Sequence, residues 1–149
     1  MTETDAELTG LIQETVSAGK TITVTVTGHS MTPLFRDKRD TVTLAAKPKK
    51  LKRGDMIYYI SNSKYLLHRI IKINKKGIFC AGDAATKPEP PVEYGNIIAK
   101  VIEYKRKGKI RSVKRFSHRF YSWFWRLIRP FRRIIINTGY RLKYGKKVG

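Results

Sequence analysis

The pattern that most constrains the fold is a strict alternation of threonine with branched aliphatic residues from Thr21 to Thr27. Successive side chains of a β-strand point to opposite faces, so this run places its isoleucine and valines on one face and its threonines on the other. Many short strands at close spacing predict an all-β fold, a small coiled antiparallel sheet or barrel. Further strand-like segments, separated by turn residues, are Thr41 to Ala45, Met56 to Ile60, Tyr65 to Ile73, Ile78 to Ala81 and Asn96 to Tyr104.

Two other segments flank these strands. Apolar residues at helical spacing between Asp5 and Gly19 predict a short N-terminal helix. Residues 105–149 hold 16 of the 32 Lys and Arg and none of the 11 Asp and Glu, so they contribute +16 of the net charge of +21. We therefore divide the chain into a β domain, residues 1–104, and a basic tail, residues 105–149.

The basic tail has the periodicity of an amphipathic C-terminal helix. At about 100° per residue, its apolar residues fall within an arc of about 140° and its cations lie opposite. Only Trp125 breaks the pattern clearly, and Pro130 is expected to kink the helix. Helices of this kind lie on anionic membrane surfaces, so we expect residues 113–136 to bind one. The apolar residues are Phe116, Phe120, Trp123, Phe124, Leu127, Ile128, Phe131, Ile134 and Ile135, and the cations are Lys114, Arg115, Arg119, Arg126, Arg129, Arg132 and Arg133.

Two alternatives remain for this tail. Its apolar face would pack on the sheet if the helix belonged to the core, which would leave a solvated cationic face. Its cations would also suit nucleic acid. Nucleic acid is the less favoured partner, because the aromatic residues are segregated from the cations and not interleaved with them as in a base-stacking groove. A membrane-spanning helix is disfavoured, because each Arg at mid-bilayer costs roughly 2.5–3.5 kcal/mol.

The composition also bears on compartment and cofactors. A single cysteine, Cys80, excludes an internal disulfide and fits a reducing compartment. The first twenty residues lack the basic and apolar regions of a signal peptide, and no run approaches the ~20 apolar residues of a membrane span. We expect a cytoplasmic protein that is peripherally associated with the membrane. Because the chain has no glycine-rich phosphate loop and no metal-ligand spacing, we expect no cofactor.

Two side chains are candidates for nucleophilic chemistry. Ser30 follows the first strand within Gly28-His29-Ser30-Met31-Thr32-Pro33. A serine there is commonly a turn residue, and as a nucleophile it needs an adjacent base, because a serine hydroxyl is weakly nucleophilic at neutral pH. His29 would point away from Ser30 if strand geometry persists. His68 is the better candidate, although a lone histidine on an apolar face is commonly a core residue. His118, in the basic tail, is expected to be solvated.

Two acidic residues follow His68 in the sequence. Asp83 stands in a Gly-Asp pair after a strand, and Glu89 lies between prolines. Either acid would orient an imidazole, which is the third role in Ser-His-acid chemistry. A Gly-Asp pair is also a common turn, and a glutamate between prolines is also a common solvated charge. These alternatives stay open on the residues alone.

Together, these segments resemble the sequence boxes of type I signal peptidases and their relatives in the combined signal-peptidase and self-cleaving-repressor group. The similar segments are Gly28 to Pro33, Leu51 to Ile57, His68 to Ile71, and Gly82-Asp83 with Glu89, in the family's order and spacing. The resemblance implies a coiled-sheet catalytic domain of the signal-peptidase type, with Ser30 as nucleophile and His68 as general base and acid. Common bacterial members have lysine in place of the histidine. The chain is therefore similar to the Ser-His branch, which includes the signal peptidases of the endoplasmic reticulum and some bacterial and archaeal forms.

The sequence departs from that branch at two places. After the Gly-Asp pair the branch typically has Asn-Asn and another Asp six residues on, whereas this chain has Ala84, Ala85 and Glu89. Glu89 matches the orienting acid with one extra methylene, and Asp83 is the alternative. Many bacterial members have an oxyanion-hole serine where this chain has Gly28. This leaves the Ser30 N–H as donor, and one missing donor costs ~10²–10³ in rate if nothing replaces it.

The function implied is a serine endopeptidase that cleaves a peptide or protein precursor after small residues, in an Ala-x-Ala pattern, at the cytoplasmic membrane surface. The threonine-faced first strand would pair with an extended substrate by strand addition. The alternative is a catalytically inactive membrane- or nucleic-acid-binding module on a peptidase fold. A self-cleaving regulator fits less well, because no helix-turn-helix segment precedes the strands and that branch uses lysine as its base.

Overall fold

The computed structural model describes residues 3–85, 87–114, 116–128 and 131, with the side chains of positions 116–118 excepted. The described part is mostly β-structure with a helix at each end, which confirms the prediction of an all-β fold. Its elements are α1 (Glu3–Ser17), β1 (Ile22–Thr25), β2 (Thr41–Ala46), β3 (Met56–Ser61), β4 (Lys64–Asn74), β5 (Gly77–Ala81), β6 (Ile97–Arg106), β7 (Lys109–Ser112) and α2 (Phe116–Leu127), with a 3₁₀ turn at Tyr94–Asn96.

The seven described strands form one antiparallel sheet in the order β1-β2-β6-β3-β4-β5, with β7 also paired to β6. β6 is the central strand. It pairs with β2 along one edge and with β3 and then β7 along the other. Within the described residues, β1 and β5 end this order without pairing to each other, so the sheet is open and is not a hydrogen-bonded closed barrel.

The sequence pattern did not predict β7. Glu103 in β6 pairs with Ser112 in β7, so the sheet includes residues on both sides of position 104. Ile110, the central apolar residue of β7, is exposed. Such a short, solvated strand has no alternation of apolar and polar residues by which it could be recognised.

Apolar side chains pack on both faces of the sheet. In β3, alternate residues serve different clusters: Met56 and Tyr58 contact one, and Ile57 and Tyr59 belong to the other, as the period of a strand requires. The first cluster includes Ile12 and Val16 of α1, Met31, Leu34 and Phe35 of the loop after β1, and Val42, Leu44, Ala99, Val101 and Tyr104 of β2 and β6. The second includes Ile70, Ile78, Cys80, Val92 and Ile97.

Helix α2 packs on the β domain by the side that carries Ser122 and Trp125, both of which are buried. The indole N–H of Trp125 donates to the Asp83 carbonyl oxygen at 2.7 Å, and Arg69 donates to Ser122 Oγ at 2.6 Å. The alternative in which the apolar stripe packs on the sheet does not hold for the described aromatic residues. Exposed to solvent are Phe120, Trp123, Phe124, Leu127 and Phe131. Trp125 interrupts the amphipathic pattern because it is the residue that enters the core.

Part of the predicted tail helix lies outside the described residues. α2 ends at Leu127, and Phe131 is the last residue described. Within the described part, no helix is both long enough and apolar enough to cross a membrane. Outside it lie Arg115, Arg129, Pro130, Arg132, Arg133, Ile134, Ile135 and the side chains of Phe116 and His118, so their predicted arrangement stays a prediction.

Candidate active site

Ser30 lies in the loop after β1, exposed to solvent, and Gly82 supports it. The Ser30 carbonyl accepts a hydrogen bond from the Ala84 N–H at 2.9 Å. A Cβ placed on Gly82 would overlap the Ser30 carbonyl oxygen and would lie 3.0 Å from Ser30 Cβ. Such a close approach of two backbones requires glycine at this position. Gly82, the first residue of the Gly-Asp pair after β5, therefore packs directly against Ser30.

His68 lies in β4 and is buried. The pairing of β4 with β5 ends at Arg69 and Ala81, so His68 and Gly82 each adjoin a residue of that last pair. Gly82, which contacts Ser30, and His68 therefore lie at the same end of the β4–β5 pairing. Among the described residues, no hydrogen bond joins Ser30 Oγ to His68. Catalytic hydrogen bonds are often long in the unbound state and tighten when substrate binds.

The Tyr59 hydroxyl is the hydrogen-bond partner of His68 Nδ1, at 3.1 Å. Burial, with Cys80 and Glu89 nearby, raises the pKa of Tyr59 far above its ordinary value, so the hydroxyl stays neutral. A neutral hydroxyl accepts a hydrogen bond from Nδ1–H in the tautomer that leaves Nε2 as a proton acceptor, and donates to Nδ1 in the other tautomer. Tyr59 therefore stands where an acid stands in a Ser-His-acid triad. Sequence reasoning missed it, because strand alternation identifies Tyr59 only as a core residue.

The other ring nitrogen of His68, Nε2, has no hydrogen-bond partner among the described residues. In the described part of the chain, Arg106 Nε is the only side-chain nitrogen or oxygen that is both shielded from solvent and without a hydrogen-bond partner. Nε2 therefore retains contact with solvent. A general base needs this accessibility, because it must reach the proton that it removes.

Burial lowers the pKa of His68 below 6.5, and the carboxylates of Glu89 and Asp83 oppose this shift. The imidazole is thus neutral at pH 7, as a general base must be. The Glu89 N–H donates to the Cys80 carbonyl at 2.8 Å, which ties the proline-rich loop to β5. Burial, with a contribution from Glu89, raises the pKa of Cys80 to about 12, so this thiol is not a nucleophile at neutral pH. Glu89 acts on His68 through space.

The Asp83 carboxylate is bound to Arg69. Arg69 Nε donates to Oδ1 at 2.8 Å and Nη2 donates to Oδ2 at 2.9 Å, and both side chains are buried. Burial lowers the pKa of Arg69, but Asp83, together with Tyr121 and Tyr104, raises it, so that its pKa lies above the ordinary value. Both carboxylate oxygens of Asp83 are therefore occupied in fixing the loop after β5. Its predicted alternative role, orienting His68, stays a prediction.

Gly28 has a backbone conformation that explains its departure from serine. Its φ angle is 81°, in the left-handed region where a side chain is strained, and its N–H donates to Asp37 Oδ1 at 2.8 Å. A hydroxyl-bearing residue is therefore disfavoured there. Within the described part of the chain, the Ser30 N–H has no acceptor, so it remains available as an oxyanion donor.

Ser30 is one of the residues that line a cleft of about 440 Å³. In the described sheet, β1 pairs only with β2, so its other edge is unpaired. β5 pairs with β4 only from Arg69 onward, so the start of β4 also has an unpaired edge. Both segments line the cleft. An extended peptide can bind such edges through its backbone, as an additional strand. The lining residues include Val24, Thr25, Val26, Thr27, Ser30, Tyr65, Leu66 and Leu67.

No protein-family model matches the chain, and no curated protein matches it in sequence. Among the described residues, no group of three or more His, Cys, Asp or Glu side chains is placed to hold a metal ion. The geometry around Ser30 is therefore the basis on which a function can be argued.

Proposed function

We propose that the protein is a serine endopeptidase of the signal-peptidase type, with Ser30 as nucleophile and His68 as general base and acid. The observation that carries this proposal is the position of Gly82, which contacts Ser30 and lies at the same end of the β4–β5 pairing as His68. The cleft that Ser30 lines supports it, as does the resemblance of the Gly28 to Pro33 and His68 to Ile71 segments to the family's boxes.

In the first step, His68 Nε2 accepts the proton of Ser30 Oγ while that oxygen attacks the substrate carbonyl carbon. The Ser30 N–H donates to the oxyanion that develops. The imidazolium then gives its proton to the leaving amine, which breaks the peptide bond. Water attacks the acyl-enzyme with His68 as base, and Ser30 recovers its proton as the acid product leaves. Tyr59 holds the ring through Nδ1, and the Glu89 carboxylate stabilises the imidazolium.

The proposed substrate is a peptide or protein precursor in an extended conformation. Its backbone would pair with the free edges of β1 and β4, and its scissile bond would lie next to Ser30, which lines the same cleft. The preference for small residues in an Ala-x-Ala pattern follows from the family resemblance. The reduced Cys80 and the basic tail suit action at the cytoplasmic membrane surface.

The test compares the wild-type protein with Ser30→Ala and His68→Ala on precursor-like peptides that contain Ala-x-Ala, with products identified by mass spectrometry. Ser17→Ala and His29→Ala are matched controls, because both residues are exposed and lie outside the proposed machinery. We expect turnover by the wild type and both controls, and loss of turnover in the two active-site variants.

Equal turnover by wild type and Ser30→Ala would reject the serine mechanism. If no peptide is cleaved and a fluorophosphonate probe fails to label Ser30, the protein is instead a binding module that retains the fold. The departures at Gly28, Ala84 and Ala85 are the sequence features that such an outcome would explain.

A further inference from the structure

Helix α2 presents a continuous aromatic surface to solvent. We name as the α2 aromatic face the side chains of Phe120, Trp123, Phe124 and Leu127, which are 43–61% exposed. The ring centroid of Phe120 lies 6.0 Å from that of Trp123 and 6.2 Å from that of Phe124. These contacts follow from helical spacing of three and four residues. The result is one contiguous patch, which is unlike the scattered single apolar residues of an ordinary surface.

The opposite side of α2 is attached to the β domain. Trp125 donates to the Asp83 carbonyl, Arg69 donates to Ser122, and the Arg69 guanidinium lies 5.8 Å from the centroid of the Tyr121 ring. The helix cannot turn the α2 aromatic face inward without breaking these buried hydrogen bonds. The α2 aromatic face therefore stays on the solvent side of the helix while the domain is folded.

The charge around this helix indicates the kind of partner. Residues 105–149 carry 16 cations and no acid, and Lys114, just before α2 in the sequence, and Arg119, within it, are exposed. Aromatic side chains on one face with cations beside them match a bilayer interface, where the rings enter below the headgroups and the cations meet anionic lipid. An acidic protein or a nucleic acid would use the cations but would leave the aromatic patch in water.

We infer that α2 is an interfacial anchor, and that the α2 aromatic face inserts into the headgroup region of an anionic bilayer while Ser122 and Trp125 stay docked. The anchor is joined to the site by a short series of contacts. Trp125 binds the Asp83 carbonyl, and the adjacent Ala84 N–H binds the Ser30 carbonyl. The bilayer-bound helix thus holds the Ser30 loop at the membrane surface. This inference does not depend on Ser30 being catalytic.

The first test is flotation of the full chain with phosphatidylcholine vesicles that contain or lack phosphatidylglycerol. Flotation should require phosphatidylglycerol and decrease with salt, because the cations are screened. Trp123→Ser with Phe124→Ser should weaken partitioning at least about tenfold, since two large apolar groups no longer leave water. The matched control is Ile73→Ser with Ile110→Ser, which removes two residues that are 45% and 64% exposed elsewhere on the surface. The control should float like the wild type.

The second test uses quenching of tryptophan fluorescence by brominated lipid and reports orientation. The chain has two tryptophans: Trp123 is 54% exposed on the face, and Trp125 is 6% exposed in the core. Anionic vesicles that contain brominated lipid should quench the wild type strongly. Trp123→Phe should still float but lose most of the quenching, because Trp125 stays inside the domain. Persistent strong quenching in Trp123→Phe would contradict the proposed orientation.

Three results would overturn the anchor itself: no flotation of the full chain on anionic vesicles, equal flotation of the Trp123→Ser, Phe124→Ser variant, or equal losses in the control variant. Fluorescence anisotropy with duplex DNA and with RNA is measured on the same samples. Tight nucleic-acid binding without vesicle binding would assign the cations to nucleic acid and reject the membrane. Since none of these measurements needs peptide cleavage, a failed anchor and a failed peptidase proposal give separate results.

Discussion

Among single side chains, Tyr59 has the most direct effect on His68, because its hydroxyl is hydrogen-bonded to the ring. Tyr59→Phe removes the hydroxyl that pairs with His68 Nδ1. We expect kcat to fall about tenfold, because the ring loses its fixed orientation and tautomer, and the free energy of unfolding to fall by about 1–3 kcal/mol. Steady-state kinetics and urea unfolding measure both.

Tyr58→Phe is the matched control for this change. Its hydroxyl bonds to Thr9 on α1 at 2.8 Å, on the other face of β3. It should cost some stability and leave kcat and its pH dependence unchanged. If Tyr59→Phe behaves like Tyr58→Phe, then Tyr59 does not position His68.

The titration of His68 gives a second prediction. Because its pKa is lowered below 6.5 by burial, kcat/KM should fall with acidity only below pH 6.5. Glu89 raises this pKa, so Glu89→Gln should move the acidic limb to still lower pH. It should also reduce kcat, because the imidazolium loses a counter-charge. Glu93→Gln, at an exposed acid nearby, should change neither quantity. If Glu89→Gln leaves both the acidic limb of the pH profile and kcat unchanged, Glu89 has no role in the mechanism.

We expect Asp83, in the loop after β5, to contribute mainly to stability. Asp83→Asn leaves the buried Arg69 guanidinium without its counter-charge, which costs about 3–5 kcal/mol when one partner of a buried pair is removed. Thermal unfolding measures the loss. A variant that keeps wild-type stability but loses kcat would assign to Asp83 a role in orienting His68.

For helix α2, two neighbouring tryptophans separate packing from membrane binding. Trp125→Ala should lower the free energy of unfolding by about 3–5 kcal/mol, because it removes a buried ring and its hydrogen bond to Asp83. Trp123→Ala should stay within about 0.5 kcal/mol of the wild type, since its ring is exposed. Urea unfolding in the absence of lipid compares them. Equal losses would mean that α2 packs by a different side.

Across the entire chain, stability should decrease as the pH falls from 6.5. The unfolded chain binds a proton at position 68 near pH 6.5, whereas native His68, with its lowered pKa, binds that proton only at lower pH. The free energy of unfolding therefore declines between 6.5 and the native pKa of His68 and levels off below it. Urea unfolding of His68→Gln should show a flatter dependence in this window. An identical slope would show that His68 is not buried as described.

The period of two in the strands and the amphipathic pattern of the tail follow from the sequence alone, because side-chain direction in a strand or helix depends on local geometry. The order of residues along the chain likewise predicted Ser30 and His68 as site residues. These local patterns could not show which residues meet across strands. Tyr59 reaches His68, and Asp83 reaches Arg69, through register and loop closure, which involve residues 9 and 14 positions apart.

The helical projection of the tail likewise predicted which side chains share a face of the helix. It could not predict which face packs against the β domain. The face that packs depends on the polar and charged groups that the β domain presents to the helix. A buried Arg69–Asp83 pair needs a polar partner, and Ser122 supplies it, so Trp125 is drawn into the core and the aromatic residues stay outside. Periodicity is a property of neighbours along the chain, whereas docking depends on the charges and hydrogen-bonding groups of distant segments. The orientation of α2 was therefore decided by tertiary contacts.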